Sequence, residues 1–190
     1  MSFYKQQLKD YLAKIDLPAG KILCIGAQSD DKKYFKSVCP GEWKTLDIDD
    51  KFKPDILFNM NRSGFDPEAG DRLYQFEEYF DHVLAFELWE YIYDPVEAHK
   101  NIYSFLKPGG VYMGSYPFVY GKHPPNGQDF LRYTDDGIKK ILNICGFKDI
   151  EIRERATDSN TLLAFYAREG MRIRNDCGHE VVGYIVKAKK

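Results

Sequence analysis

Four short stretches of the chain carry residue types able to hold a nucleotide-like ligand, and each closes an apolar run. KILCIG stops at Gly26 and is followed by Ala27-Gln28-Ser29-Asp30. A glycine at such a stop lets a ligand approach the backbone closely. WKTLDI places Asp47 roughly twenty residues after that turn, where a carboxylate can accept both hydroxyls of a ribose. PDILFN ends in Asn59, followed by Met60: an amide beside a soft, polarizable side chain able to pack on an adenine face. DHVLAFE ends in Phe86-Glu87 and leads into Leu88-Trp89-Glu90. Singly, a glycine after a strand is commonly a turn and an acid there commonly a helix cap. Their common order and spacing carry the argument.

These residues need elements to hold them. A helix is expected over Ser2 to Ile15, with Phe3, Leu8, Tyr11, Leu12 and Ile15 on one face. Strands are expected over Lys21 to Gly26, Trp43 to Ile48, Pro54 to Asn59, Asp81 to Glu87, Val111 to Phe118, Phe147 to Arg155 and Glu180 to Lys187. Between them the pattern predicts helices around Lys32 to Ser37, Asp71 to Phe80, Pro95 to Leu106, Asp135 to Cys145 and Ser159 to Glu169. Pro95 suits a first helical turn and Thr134 an N-cap. Strands alternating with helices imply a largely parallel, doubly wound α/β sheet with right-handed crossovers. In such a sheet ligands lie beyond the carboxyl ends of the strands, which is where the four stretches end.

Composition narrows the function classes. The 190 residues are expected to form one domain, 1–190: an N-terminal helix (1–20), a ligand-binding half (21–118) and a substrate-side half (119–190). Hydrophobic residues at 44% and charged residues at 29% describe an ordinary globular chain. A net charge of −2 excludes bulk electrostatics as the driver of nucleic-acid or membrane binding. The absence of a long apolar run, a start without a signal-peptide core, and four scattered cysteines (Cys24, Cys39, Cys145, Cys177) lead to the expectation of a reduced, cytoplasmic protein. Aromatic residues reach 15%. They either fill the core or line a pocket that stacks a planar ligand.

The sequence resembles class I S-adenosylmethionine-dependent methyltransferases of the small, methyltransferase-type-11-like kind. The resemblance runs from Lys21 to about Ile152, through KILCIGAQSD, TLDIDD, PDILFNM, FDHVLAFELWEYIYDP, FLKPGGVYMGSYPF and HPPNGQDFLRYTDDGIKKILNICGF. It implies S-adenosylmethionine as cofactor and a seven-stranded sheet in the order 3-2-1-4-5-7-6, the last strand antiparallel. It implies that Gly26, Ala27 and Gln28 approach the methionine part of the cofactor. Asp47 would hold the ribose, Ile48 would lie against the adenine, and Asn59 and Met60 would border it. Phe86, Glu87 and Trp89 would lie beneath the sulfonium end and near the substrate. Lys107 to Gly110 matches a structural turn. The chain departs from the family's pattern at Cys24, Gln28, Asn59 and Tyr91, where an acid, a second glycine, an acid and a histidine are usual.

Methyl transfer from a sulfonium is an in-line displacement, so the protein supplies alignment and, for a hydroxyl acceptor, a base. The segment from Tyr120 to Asp129 is rich in Pro, Gly and polar groups and follows the fifth strand. His123 is the candidate base there, with Tyr120, Asp129, Arg132 and Tyr133 as candidates to line the acceptor pocket. The plainer alternative is that Asp129 and Arg132 pair with each other and tie down the loop. His82 and His99 are expected to be structural, and Cys177 with His179 are too few for a closed zinc site, so no metal is expected. The expected activity is methyl transfer to a small-molecule or glycan-type hydroxyl. The acceptor pocket would be open or completed by a second copy of the chain. Three rivals stand beside it. GAQSDD fails the dehydrogenase glycine pattern. A non-catalytic scaffold that binds a partner fits Cys24 and Gln28. An RNA or protein methyltransferase is the third; the neutral charge disfavours RNA, and no Asn-Pro-Pro-Tyr-type motif follows strand four.

Overall fold

The computed structural model describes residues 3–15, 17–26, 29–64, 73–119, 122, 128–157 and 180–190. Seven strands form one sheet: β1 (Gly20–Ile25), β2 (Gly41–Asp47), β3 (Ile56–Leu57), β4 (Phe80–Ala85), β5 (Leu106–Pro117), β6 (Lys148–Thr157) and β7 (Glu180–Lys189). Their order is β3-β2-β1-β4-β5-β7-β6. The first five run parallel, and β7 pairs antiparallel with both β5 and β6. This is the topology the sequence led us to expect.

The central strands are short apolar runs because both of their faces are covered. On β1, Leu23 and Ile25 enter one core and Ile22 and Cys24 the other, all of them buried. Helices α1 (Phe3–Leu12) and α2 (Ser29–Val38) cover the second core with Leu8, Leu12 and Phe35. Helices α3 (Pro95–Phe105) and α4 (Asp135–Ile144) cover the first with Ala98, Ile102, Phe105, Ile138 and Leu142. Each large aliphatic side chain buried this way contributes about 1.5–3 kcal/mol.

The helix ends follow their sequence signals. Asp94 caps α3 by accepting the Glu97 N–H, and Pro95 occupies its first turn. Thr134 caps α4 by accepting the Gly137 N–H at 3.1 Å. Gly146 then takes a left-handed backbone, φ 94°, after the helix.

Three elements differ from expectation, the first being β3, which keeps only Ile56–Leu57 of the strand expected over Pro54 to Asn59. The stretch read as a helix over Asp71 to Phe80 is, where described, a 3-10 turn at Tyr74–Phe76 followed by β4 from Phe80. Its rings hold it there: Phe80 is buried, stacks on Phe76 and pairs with Leu106 on β5. Strand β5 also starts earlier than Val111. Phe80 pairs with Leu106 and His82 with Val111, so Lys107 to Gly110 bulge out opposite Asp81. Asp81 fastens the bulge, accepting from Lys107 Nζ at 2.7 Å and from the Lys21 N–H at 2.8 Å. The helix expected over Ser159 to Glu169, and Cys177 with His179, lie outside the described residues.

Candidate functional site

The strand register lays the candidate residues in one row along the carboxyl edge of the sheet. Ile25 pairs with Leu46 on one side and Ala85 on the other, so Gly26 lies between the ends of β2 and β4. The Gly26 N–H donates to the Leu46 carbonyl at 2.9 Å. Its φ is 70°, and a Cβ built on it would stand 3.1 Å from Leu88 Cδ2. The left-handed conformation therefore favours glycine here, and a side chain would also press on Leu88.

Asp47 ends β2 beside it. Its Oδ1 accepts the Asp49 N–H at 3.0 Å, and its carbonyl accepts the Phe58 N–H at 2.9 Å. Ile48 follows with 63% of its surface exposed, an apolar side chain with nothing described over it. Asn59 closes the row at β3. Its Oδ1 accepts from the Asn61 N–H and from Asn61 Nδ2. Asn61 Oδ1 in turn accepts the Tyr93 and Asp94 N–H groups. This asparagine relay joins the loop after β3 to the start of α3. Asn59 was singled out from sequence, whereas Asn61 and its role were missed.

On the other side of Gly26, Phe86 is buried against Phe35, with ring centroids 5.2 Å apart. Glu87 follows in a left-handed backbone, φ 54°, which costs a non-glycine residue about 1–2 kcal/mol. Three bonds hold it. Its N–H donates to Ser115 Oγ at 2.9 Å, Ser115 Oγ donates back to Glu87 Oε1 at 2.6 Å, and Arg155 Nη1 donates to the same Oε1 at 2.6 Å. Ser115 and Arg155 are both buried. Neither was read from the sequence, because nothing local marks them.

Two candidates prove to be core residues. Met60 is buried in the core between sheet and α3. Trp89 is 1% exposed and lies in a stack of rings, 4.0 Å from His99 and 5.1 Å from Tyr116 between centroids. Its Nε1 donates to the Ala85 carbonyl at 3.1 Å. Apolar burial outweighs the exposure that a ligand contact would need. The abundance of aromatic residues thus serves the core here.

A polar chain runs through that stack. His99 Nδ1 faces the Pro95 carbonyl, which can only accept, so Nδ1 carries the hydrogen. His99 Nε2 then accepts from Tyr116 Oη at 2.6 Å, and Tyr116 Oη accepts from Tyr112 Oη at 2.6 Å. Burial pulls the imidazole down to about 4, opposed weakly by the Pro95 carbonyl. His82 is also buried, with Nε2 donating to the Pro18 carbonyl at 2.9 Å.

The segment after β5 straps this block. The Phe130 N–H donates to the Glu90 carbonyl, the Tyr133 N–H to the Pro117 carbonyl, and Tyr133 Oη to the Trp89 carbonyl at 3.0 Å. Burial raises the Tyr133 phenol, and the nearby Glu90 charge adds to the rise. Arg132 Nη2 donates to Asp129 Oδ2 at 2.7 Å, and Nη1 bonds Asp129 Oδ1 and the Leu131 carbonyl. Asp129 and Arg132 therefore pair with each other, and the Asp129 side chain is only 1% exposed. Ala27, Gln28, Tyr120 and His123 lie outside the described residues. Among the described residues, no three His, Cys, Asp or Glu side chains converge as metal ligands. No described helix is long and apolar enough to cross a membrane.

A family model described as a methyltransferase domain matches residues 33–114. That match covers less than half of the chain, and the sheet order is that of the Rossmann-like methyltransferase fold. A comparison with curated protein sequences finds no match. Among solved structures, the domain is similar to a SAM-dependent methyltransferase from Archaeoglobus fulgidus, with TM-score 0.62 and 15% identity over 97% of this chain and 90% of that one. It is similar to a chain of the complex between the Haloferax volcanii Trm112 methyltransferase activator and a putative methyltransferase. There the TM-score is 0.67 and the identity 15%, over 98% of this chain and 89% of that one. A third is the Haemonchus contortus phosphoethanolamine N-methyltransferase 2 in complex with S-adenosyl-L-methionine. Its TM-score is 0.65 and its identity 14%, over 100% of this chain and 53% of that one. The domain spans about half the length of that last protein. At such identities these likenesses establish the fold.

Proposed function

We propose that this domain is an S-adenosylmethionine-dependent methyltransferase acting on a small-molecule or glycan-type acceptor through a hydroxyl. The observation that carries the reading is the row Asp47–Gly26–Phe86, set side by side at the carboxyl ends of β2, β1 and β4. The residues fit the cofactor. The left-handed backbone of Gly26 at the end of β1 lets the methionine part approach closely. The Asp47 carboxylate keeps acceptor capacity beyond its single bond from Asp49, enough for ribose hydroxyls. Ile48 offers an exposed apolar side chain to an adenine face.

When bound, S-adenosylmethionine supplies an electrophilic methyl group on a sulfonium. The chain's own part is alignment. Phe86, locked against Phe35, sets the wall at the end of β4. The buried Trp89–His99–Tyr116 stack supports the turn after β4 from below and keeps Glu87 at the sheet edge. For a hydroxyl acceptor, His123, in the segment that follows β5 in the sequence, is the candidate base.

Calorimetric titration of the purified chain with S-adenosylmethionine and S-adenosylhomocysteine tests this, with Asp47→Ala as control. Micromolar binding that the substitution weakens strongly supports the reading. No binding by folded, ligand-free protein overturns it and favours a methyltransferase-like scaffold that binds a partner.

A further inference from the structure

We propose that Glu87 is the acceptor anchor: its carboxylate binds a hydrogen-bond-donating group, hydroxyl or ammonium, on the methyl acceptor, with Ser115 and Arg155 as positioning residues. The proposal rests on the methyl-transfer reading above and names the chemistry of its substrate.

Three strands converge on this one carboxylate. Glu87 follows β4, Ser115 lies on β5, and Arg155 reaches in from β6. Gly183 of β7 lies in register between Pro117 and Arg155, and it has no side chain to stand in the path. Both strong bonds fall on Oε1. Among the described residues Oε2 takes no hydrogen bond, and the Glu87 side chain is 35% exposed. An ionised carboxylate oxygen is an acceptor only, so it selects a donor.

Stability alone gives no reason for this arrangement. A buried ion pair is often no more stabilising than apolar residues of the same volume. The Glu87 backbone is in addition held left-handed, directly after Phe86 at the carboxyl end of β4. Strain and buried charge together, at the edge where the cofactor row ends, mark a position shaped for a ligand. Arg155 pairs with Glu87 through Oε1, so the carboxylate's charge is already partly offset when an uncharged hydroxyl binds.

Saturation-transfer NMR on the full chain loaded with S-adenosylhomocysteine tests the proposal with three probes. Methyl glucoside offers hydroxyls, ethylamine an ammonium, and propionate neither at about pH 8. Binding of methyl glucoside or ethylamine, and not of propionate, is expected, and whichever binds identifies the donor. Glu87→Gln should weaken that binding at least about tenfold while S-adenosylhomocysteine affinity stays within about threefold. Arg155→Met leaves the carboxylate uncompensated and should shift preference toward ethylamine, which a merely structural tie would not do. If Arg155→Met fails to fold, Arg155→Lys keeps the charge and should keep the preference. No binding by either donor probe, equal binding of propionate, or a Glu87→Gln variant that binds as before overturns the proposal. Failure of the unaltered chain to bind S-adenosylhomocysteine instead overturns the reading on which it rests.

Discussion

The turn after β2 and the turn after β4 both follow a buried parallel strand, and both carry residues that invite a functional reading. Their fates differ. After β2, Ile48 is exposed and Asp47 makes one side-chain hydrogen bond, to the next turn. After β4, Trp89 is sealed among His99, Tyr116 and Tyr133, with the 128–134 strap bonded across it. The first region lies toward the sheet edge with little described above it, and the second lies under α3 and the strap. Lying beyond a strand end is therefore necessary for a site and not sufficient. Burial decides which side chains keep free hydrogen-bonding capacity.

That contrast can be broken at several points. Trp89→Ala should lower stability by about 3–5 kcal/mol, because a large buried ring leaves a cavity. A urea midpoint within error of the parent would mean that the block is not sealed.

His99 gives a pH signature. Its folded value is about 4 and its ordinary value 6.5. Between those values the unfolded chain binds the proton and the folded chain does not, so stability falls as pH falls and is flat above this window. The loss should reach about 2 kcal/mol between about pH 7 and pH 5. Urea titrations across that range should show it, and His99→Asn should flatten it.

Asp47→Ala should weaken S-adenosylhomocysteine by about ten- to hundredfold, as expected for hydrogen bonds to a charged group. It should move stability by less than about 1 kcal/mol. A large stability loss without loss of binding would make the β2 turn structural, like its counterpart. Thr134→Ala should cost about 1 kcal/mol by removing the cap of α4. Calorimetric unfolding can read so small a change, and ligand binding should be untouched.

Much of the fold was legible. Short apolar runs gave the strands, and Thr134 and Pro95 marked the helix starts they do form. The pairing of Asp129 with Arg132 was weighed as the plainer alternative and is what the structure has. The rings before β4 misled, because a 3-10 turn and a helix start share the same apolar spacing over so few residues. Met60 and Trp89 turn into the core, which no local pattern marked. A residue after a strand can turn inward or outward, and periodicity stops at the strand's end.

What the sequence by itself determined is the order of the elements and the glycine, acid and amide at the ends of the first three strands. These depend on local pattern and spacing. Only the tertiary structure decided that Arg155 meets Glu87 across a separation of 68 residues, that Ser115 donates to the same Glu87 oxygen, and that His99 is locked as an acceptor for Tyr116. Such contacts arise from strand register and from the need to pair buried charge and buried polar atoms, and neither leaves a trace in the neighbouring sequence.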